Sequence, residues 1–211
     1  MSQHLGPIKA TRKLGTEPFH RNGQALDFDV LSFWQWSASD LLSNATRGIL
    51  AEYIVSHALG DFGGVRAEWD AFDATTKSGI KVEVKSSAYI QRWHQERLSR
   101  ITFIIRPTLR WDADTNLLAD ERKRQADVYV FCLLDHKDQE TIDPLDLNQW
   151  RFFVISTVRL NAELGEQQSI GLNGLQKIGV EEADYSDLAD AVGRAAQKLK
   201  DGSPHISRDG R

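Results

Sequence analysis

The 211-residue sequence contains little of what builds cross-linked or membrane-spanning proteins. Its single cysteine, Cys132, excludes a disulfide within the chain and leaves no cysteine cluster for a zinc site. No run approaches eighteen consecutive apolar residues, and the first fifteen residues lack the apolar core of a secretory signal. We therefore expect a protein of the reducing cytoplasm that has no membrane partner.

Several common catalytic patterns are also missing. The six histidines are scattered without the spacing of metal ligands, which argues against a zinc site and against histidine-based catalysis. The sequence contains no glycine-rich loop of the kind that binds nucleotide phosphates. With 41% hydrophobic and 27% charged residues, the chain has the composition of a folded globular domain.

The charge is unevenly distributed. The net charge is −4, which by itself argues against a nucleic-acid partner. Residues 77–124, however, contain 11 Lys and Arg against 6 Asp and Glu, so this stretch carries +5 and the remainder −9. Either a surface for nucleic acid or an ordinary solvated face explains such a stretch equally well.

The order of hydrophobic patterns predicts one α/β domain with a mixed central sheet flanked by helices. We interpret residues 1–26 as an N-terminal arm and 27–211 as a single domain. The predicted elements are a helix or packed loop over 28–42, a helix over 46–59 with cap residues at 43–46 and a stop at Gly60, a hairpin of 65–75 with 80–88, strands at 101–108, 127–134 and 150–157, and a helix over 185–201. The three strands after the hairpin are continuous apolar runs, typical of strands buried on both faces. Four tryptophans are expected in the core: Trp34, Trp36, Trp69 and Trp150.

The hairpin is the segment that carries chemistry. Alternation along its second strand puts Glu83 and Lys85 on one face. If the apolar faces of the two strands coincide, Asp70 shares that face and Asp73 points to the core. A four-residue loop over 76–79 then puts Asp70 opposite Lys85 and about 7–8 Å from Glu83, within bridging range through one cation.

Two carboxylates on one face repel each other unless one is protonated or a cation lies between them. Oxygen ligands of this kind suit Mg²⁺ or Mn²⁺, which would activate water for attack on a phosphodiester. Taken alone, the hairpin fits an ion-paired, solvated surface equally well, because an acid-x-lysine triplet occurs three times in the chain. The other two triplets lack the alternating apolar flanks of a strand.

Glu52 favours the catalytic interpretation. It is the only acid of the helix over 46–59, whose apolar residues cover nearly the whole circumference. A carboxylate is rarely buried without a partner, so Glu52 either pairs with Arg47, reaches water at the rim, or contributes a third acid to the same ion. We favour the third acid.

With these residues the sequence resembles the PD-(D/E)XK nuclease superfamily, the restriction-endonuclease-like fold with an αβββαβ core. Stretches such as TRGILAEYIV and IKVEVKSSAYIQ also look like an uncharacterised bacterial branch. The resemblance implies that Asp70 and Glu83 are metal ligands, that the Val84 carbonyl and Glu52 complete the shell, and that Lys85 positions the water. Trp69 stands where the name motif has proline.

The resemblance implies a metal-dependent nuclease, with DNA as the expected substrate. The alternative is a catalytically silent module on the same fold that binds nucleic acid or protein. A homodimer would bring two sites to two strands, although no sequence feature requires one. Residues considered as contacts to nucleic acid are Gln91, Arg92, Trp93, Arg122 and Arg124; Gln91 resembles a glutamine near the site of some relatives.

Overall fold

The structure, a computed structural model, describes residue 6 and residues 8–61, 63–66, 71–112 and 117–201. Its helices are α1 (Val30–Ala38), α2 (Asn44–Ala58), α3 (Thr157–Leu164), α4 (Leu172–Lys177) and α5 (Leu188–Asp201). Its strands are β1 (Pro18–Arg21), β2 (Gln24–Asp29), β3 (Ala74–Thr75), β4 (Lys81–Ala88), β5 (Thr102–Ile104), β6 (Thr108–Asp112), β7 (Leu117–Lys123), β8 (Val128–Leu134), β9 (Trp150–Ser156), β10 (Ser169–Gly171) and β11 (Glu181–Ala183).

A five-stranded mixed sheet forms the centre, in the order β11–β9–β8–β4–β3. Strands β4 and β8 are parallel, and the other neighbours are antiparallel. Every residue of β8 is buried, as its continuous apolar run predicts, and β9 is nearly as buried. The predicted mixed α/β sheet is thus confirmed.

Two apolar cores cover the two faces of this sheet. Helices α2 and α5 pack on the face that presents Val82, Val84 and Val130. Helices α3 and α4 and the β5–β10 ribbon cover the other face, where Phe131 and Phe153 lie. The side chains of Glu83 and Lys85 alternate with Val82 and Val84, so they leave β4 away from α2.

Helix α2 follows the predicted capping pattern. The Ser43 side chain accepts a hydrogen bond from the Thr46 amide (3.3 Å), and the helix ends before Gly60, whose φ is +74°. Its inner face is buried against β4. Ile49 and Tyr53 are exposed, however, so the expectation of burial around nearly the whole helix is wrong.

The register of the β3–β4 hairpin differs from the prediction by one residue. Ala74 pairs with Val82 and Thr75 with Lys81, and the Thr76 amide donates to the Ile80 carbonyl (2.9 Å). The connection therefore has three residues, and the predicted four-residue loop is wrong. Because side chains alternate along a strand, this slip reverses which acids of the first strand face Glu83. The first strand is also shorter than predicted.

Three other expectations need correction. The segment 101–108 does not join the central sheet, since β5 pairs with β10 instead. Within residues 28–42 the helix α1 covers only Val30–Ala38, none of its residues is buried, and Trp34 and Trp36 are exposed. Trp150 is buried as expected, whereas Trp69 lies outside the described residues. The predicted arm contains most of a β1–β2 hairpin.

The element order matches the αβββαβ pattern only in part. Helix α2 precedes the β3–β4 hairpin, and β4 runs parallel to β8. Between β8 and β9, where that pattern has a helix, the chain contains only a short 3₁₀ turn (Leu147–Gln149). Among the helices that the structure describes, none is long and apolar enough to cross a bilayer.

Candidate active site

The candidate site lies at the edge of the central sheet where β3 begins beside β4, directly after Asp73. The amide of Asp73 donates to the Val82 carbonyl (2.9 Å), and its carboxylate Oδ2 accepts from the Val84 amide (2.7 Å). The Asp73 side chain thus accepts from the Val84 amide the hydrogen bond that the backbone of a longer β3 would accept. This anchoring fixes the Asp73 carboxylate against the open edge of β4.

Glu83 and Lys85 lie two residues apart on β4, on the same face of the strand, and form an ion pair. Both side chains are only partly exposed. Glu83 pairs with Tyr129 of β8 in the sheet register. Burial foremost, and then the charge of Glu83, raise the pKa of the Tyr129 hydroxyl. The charge of Glu83 therefore affects a buried hydroxyl of β8 as well as the acid at the sheet edge.

Glu52 approaches from α2 and binds Arg66 through two hydrogen bonds, one of them from Nη2 to Oε1 (3.0 Å). The alternative of a pair with Arg47 is wrong, because Arg47 is buried and bonds to other groups. Glu52 and Asp73 border one cavity of about 300 Å³. Arg12, Tyr53, Arg66 and Phe72 also line this cavity.

Asp73 is the most perturbed acid of the site. Burial raises the pKa of its carboxyl to about 7, and the negative charges of Glu83 and Glu52 act in the same direction. The Val84 amide and the Lys85 ammonium oppose this rise without cancelling it. The Asp73 carboxyl is therefore protonated more readily than an ordinary aspartate, at a pH nearer to neutral. The acids at this edge lack sufficient compensating positive charge.

The donor set fits a hard divalent cation. Asp73 and Glu83 offer carboxylate oxygens close enough for the charge of Glu83 to raise the pKa of Asp73, and Mg²⁺ commonly binds through one or two carboxylates while keeping several waters. Within the described ranges, no group of three or more His, Cys, Asp or Glu side chains is arranged to hold a metal. The described donors therefore form a pair, with Glu52 held by Arg66.

The structure brings three of the predicted residues, Glu52, Glu83 and Lys85, close enough to act on the charge of Asp73. Asp70 lies outside the described residues, so its ligand role stays a prediction. Asp73, which the sequence interpretation pointed to the core, is the acid that the structure brings to Glu83. The sequence feature that could have identified it is its place directly before the hairpin strand, because a three-residue loop turns its side chain toward Glu83.

The candidate contacts to nucleic acid fall into two groups. Gln91 and Arg124 are buried: Gln91 donates to the Ala88 carbonyl (2.8 Å), and Arg124 donates to the Ile105 carbonyl (2.7 Å) among other internal acceptors. Both side chains therefore point into the protein and stabilise the fold. This corrects the prediction that they contact nucleic acid directly. Arg124 points inward because it lies between the exposed β7 and the buried β8.

The remaining candidates lie at the surface. Arg92 is exposed and pairs with Asp40 (3.1 Å), and Trp93 is exposed beside it. Arg122 lies on β7, which is exposed along its whole length. Val84 takes part through its amide, while a ligand role for its carbonyl stays a prediction.

Comparison with known proteins identifies a family whose match covers the residues of this site. The family described as bacteriophage T4 endonuclease IV matches residues 28–174, more than two thirds of the chain. The match spans α2, the β3–β4 edge and the strands β8 and β9. No curated protein sequence matches the chain. The family's name agrees with the expectation of a nuclease, and the chain belongs to the bacteriophage T4 endonuclease IV family.

Proposed function

We propose that this protein is a metal-dependent endonuclease that hydrolyses phosphodiester bonds in DNA. The observation that carries the proposal is the pairing of Asp73 and Glu83 beside Lys85, in a chain of an endonuclease family. A raised carboxyl pKa beside a second carboxylate and an ammonium group is typical of a functional site.

Asp73 and Glu83 would hold Mg²⁺ or Mn²⁺, with the Val84 carbonyl and Glu52 as further ligands, directly or through water. When bound, such an ion lowers the pKa of a water molecule and compensates the charge that builds on the phosphate. We assign to Asp73 the role that the sequence predicts for Asp70, because the Val84 amide fixes the Asp73 carboxylate at the edge of β4. Ionised Asp73 is the form that binds, so the site loads better as the pH rises through about 7.

Lys85 has two roles in this proposal. In the resting site its ammonium compensates Glu83. If Glu83 held a cation, Lys85 would no longer be needed to compensate it and could donate a hydrogen bond to a water beside the phosphorus. Arg12 and Arg66 line the adjoining cavity and supply positive charge for the phosphodiester.

The restriction-endonuclease-like arrangement is part of the proposal. It is supported by α2 before the hairpin, by the acids at the hairpin edge and by the parallel pairing of β4 with β8. The missing helix between β8 and β9 is the departure from that pattern.

The test is cleavage of plasmid, single-stranded and branched DNA with Mg²⁺, with Mn²⁺ and with EDTA. We expect cleavage by the wild type only with a divalent cation, and none by Glu83→Gln. Glu121→Gln, which changes an exposed acid on β7 within another acid-x-lysine triplet, is the matched control and should cleave normally. Equal cleavage by the wild type and Glu83→Gln would identify the activity as a contaminant.

The alternative is a catalytically silent module on the same fold. The ion pairs Glu83–Lys85 and Glu52–Arg66 favour it, because they would satisfy these acids without a metal. This alternative predicts that the wild type binds DNA without cleaving it and shows no response to divalent cations in calorimetry.

A further inference from the structure

A second cavity adjoins the candidate site, on the other side of Tyr53. It has a volume of about 270 Å³ and lies between α2, the segment 144–147 and Tyr185, which precedes α5. Its walls include Leu50, Tyr53, Ile54, His57, Leu145 and Tyr185. Tyr53 also lines the cavity that Glu52 and Asp73 border. We propose that this second cavity, the apolar cavity, binds one unstacked base of the DNA strand whose phosphate enters the candidate site, and that the base stacks on Tyr53.

The proposal rests on the proposed nuclease function and adds a base contact to it. The two cavities differ in chemistry as the two halves of a nucleotide do. The cavity of Asp73 contains Arg12 and Arg66, which suit a phosphate. Among the described residues that line the apolar cavity, none is Asp, Glu, Lys or Arg. A flat base that stacks on an aromatic ring fits such a lining, whereas a phosphate does not.

Tyr53 connects the two cavities. It directly follows Glu52 on α2, so the Cα atoms of the two residues are about 3.8 Å apart. The Tyr53 side chain is 60% exposed. Its ring centroid lies 6.2 Å from that of His57 at an angle of 47°, so these two rings are not stacked face to face. A strand that lies across Tyr53 therefore brings a phosphate to one cavity and a neighbouring base to the other.

The walls of the apolar cavity are held in place by hydrogen bonds. One of them joins His57 Nδ1 to the Tyr185 hydroxyl (2.7 Å), which ties α2 to the chain before α5. On the opposite side the Trp150 indole donates to the Pro144 carbonyl (3.0 Å). Preformed cavities with few polar groups are typical of ligand sites, whose volumes begin at roughly 300 Å³. The apolar cavity is at the small end of this range and suits a single base.

The test compares two single-stranded oligomers of equal length in EDTA, by fluorescence anisotropy. One is normal DNA, and in the other every nucleotide is abasic. We expect Tyr53→Ala to bind normal DNA about ten-fold more weakly than the wild type does, and to bind the abasic oligomer unchanged. Tyr53→Phe should bind both like the wild type, because stacking requires the ring and not the hydroxyl.

Two further variants serve as controls. Arg12→Ala, which removes a charge from the other cavity, should weaken the binding of both oligomers alike. Trp36→Ala removes an aromatic side chain that is 85% exposed and lines neither cavity, and it should change neither affinity. Far-UV circular dichroism establishes that each variant is folded.

The proposal is overturned if the wild type binds both oligomers equally, or if Tyr53→Ala weakens both alike or neither. The last result would leave the apolar cavity to a protein side chain or a small apolar molecule. Cleavage in Mg²⁺ decides the nuclease function separately. Persisting cleavage with base-independent binding rejects the base site alone, whereas base-dependent binding without cleavage rejects the nuclease alone.

Discussion

Two acid clusters lie at opposite sides of the central sheet and differ in how their charge is compensated. Beyond β9, Glu182 receives two hydrogen bonds from Arg151 (2.7 and 2.8 Å), and Arg151 also bonds to Asp135 (3.2 Å). These bonds lower the pKa of Glu182 and raise the pKa of Arg151. Beside β4, burial and neighbouring acids raise the pKa of Asp73 to about 7.

The difference separates a structural cluster from a candidate catalytic one. Arg151 binds Glu182 and Asp135 with directed bonds, and Lys137 Nζ lies 4.0 Å from the Asp135 oxygen that accepts no hydrogen bond from the described residues, so positive charge already compensates this cluster. Lys85 pairs with Glu83 and Arg66 with Glu52, and among the described residues no basic side chain is bonded to Asp73. A divalent cation would stabilise this edge of the sheet and leave the other unaffected.

The largest expected effect is on cleavage. Asp73→Asn and Glu83→Gln should each lower the rate of DNA cleavage by about 10³-fold or more, because each removes a charge that holds the cation. Glu182→Gln should leave the rate unchanged. The measurement is the initial rate of plasmid nicking in Mg²⁺. A comparable loss in Glu182→Gln would contradict the distinction between the two clusters.

Lys85→Ala should lower kcat by about 10²-fold, since it removes the group that holds the attacking water. Lys81→Ala, four residues earlier on β4, is the matched control and should cleave normally. Single-turnover kinetics at saturating DNA separate this effect from a loss of substrate binding. If Lys81→Ala and Lys85→Ala lose activity equally, the surface charge of the strand matters and not the position of Lys85.

Divalent cations should stabilise the wild type by about 2–3 kcal/mol at a hundredfold excess over the dissociation constant, which raises Tm by several degrees. The shift should be larger at pH 8 than at pH 6, because protons compete for Asp73 below a pKa of about 7. Asp73→Asn should abolish the shift, and Glu182→Gln should retain it. A pH-independent shift that survives in Asp73→Asn would place the cation elsewhere.

The smallest effect has the opposite sign. The pKa of Asp73 rises from 3.8 to about 7 on folding, so stability falls as the pH rises through this range and levels off above it. In EDTA, Asp73→Asn should therefore be more stable than the wild type at pH 8, where the wild-type carboxyl is ionised, and the difference should shrink toward pH 4. Urea unfolding at the two pH values measures this. A destabilised Asp73→Asn at pH 8 would show that the carboxylate is already well compensated.

The sequence predicted the parts of the fold that depend on burial and capping. The apolar runs of β8 and β9, the Ser43 cap and the C-terminal helix follow from local pattern and were confirmed. The order of strands β4 and β8 in the sheet depends on long-range pairing, which no local pattern encodes. For the same reason segment 101–108 was assigned to the wrong sheet.

For the candidate site, residue types were easier to predict than their orientation. Alternation put Glu83 and Lys85 on one face, but the choice between Asp70 and Asp73 depended on the length of one loop. A single residue in that loop reverses every side chain of the first strand. The exposure of Trp34 and Trp36 was missed because aromatic residues were assigned to the core, whereas α1 buries none of its residues.

The central claim is that Asp73 and Glu83 together bind a divalent cation. Diffraction from crystals soaked in Mn²⁺, recorded for its anomalous signal, tests it most directly. We predict one peak within about 2.2 Å of a carboxylate oxygen from each residue, with Lys85 displaced from Glu83. A peak at another position, or none while Lys85 still pairs with Glu83, would contradict it.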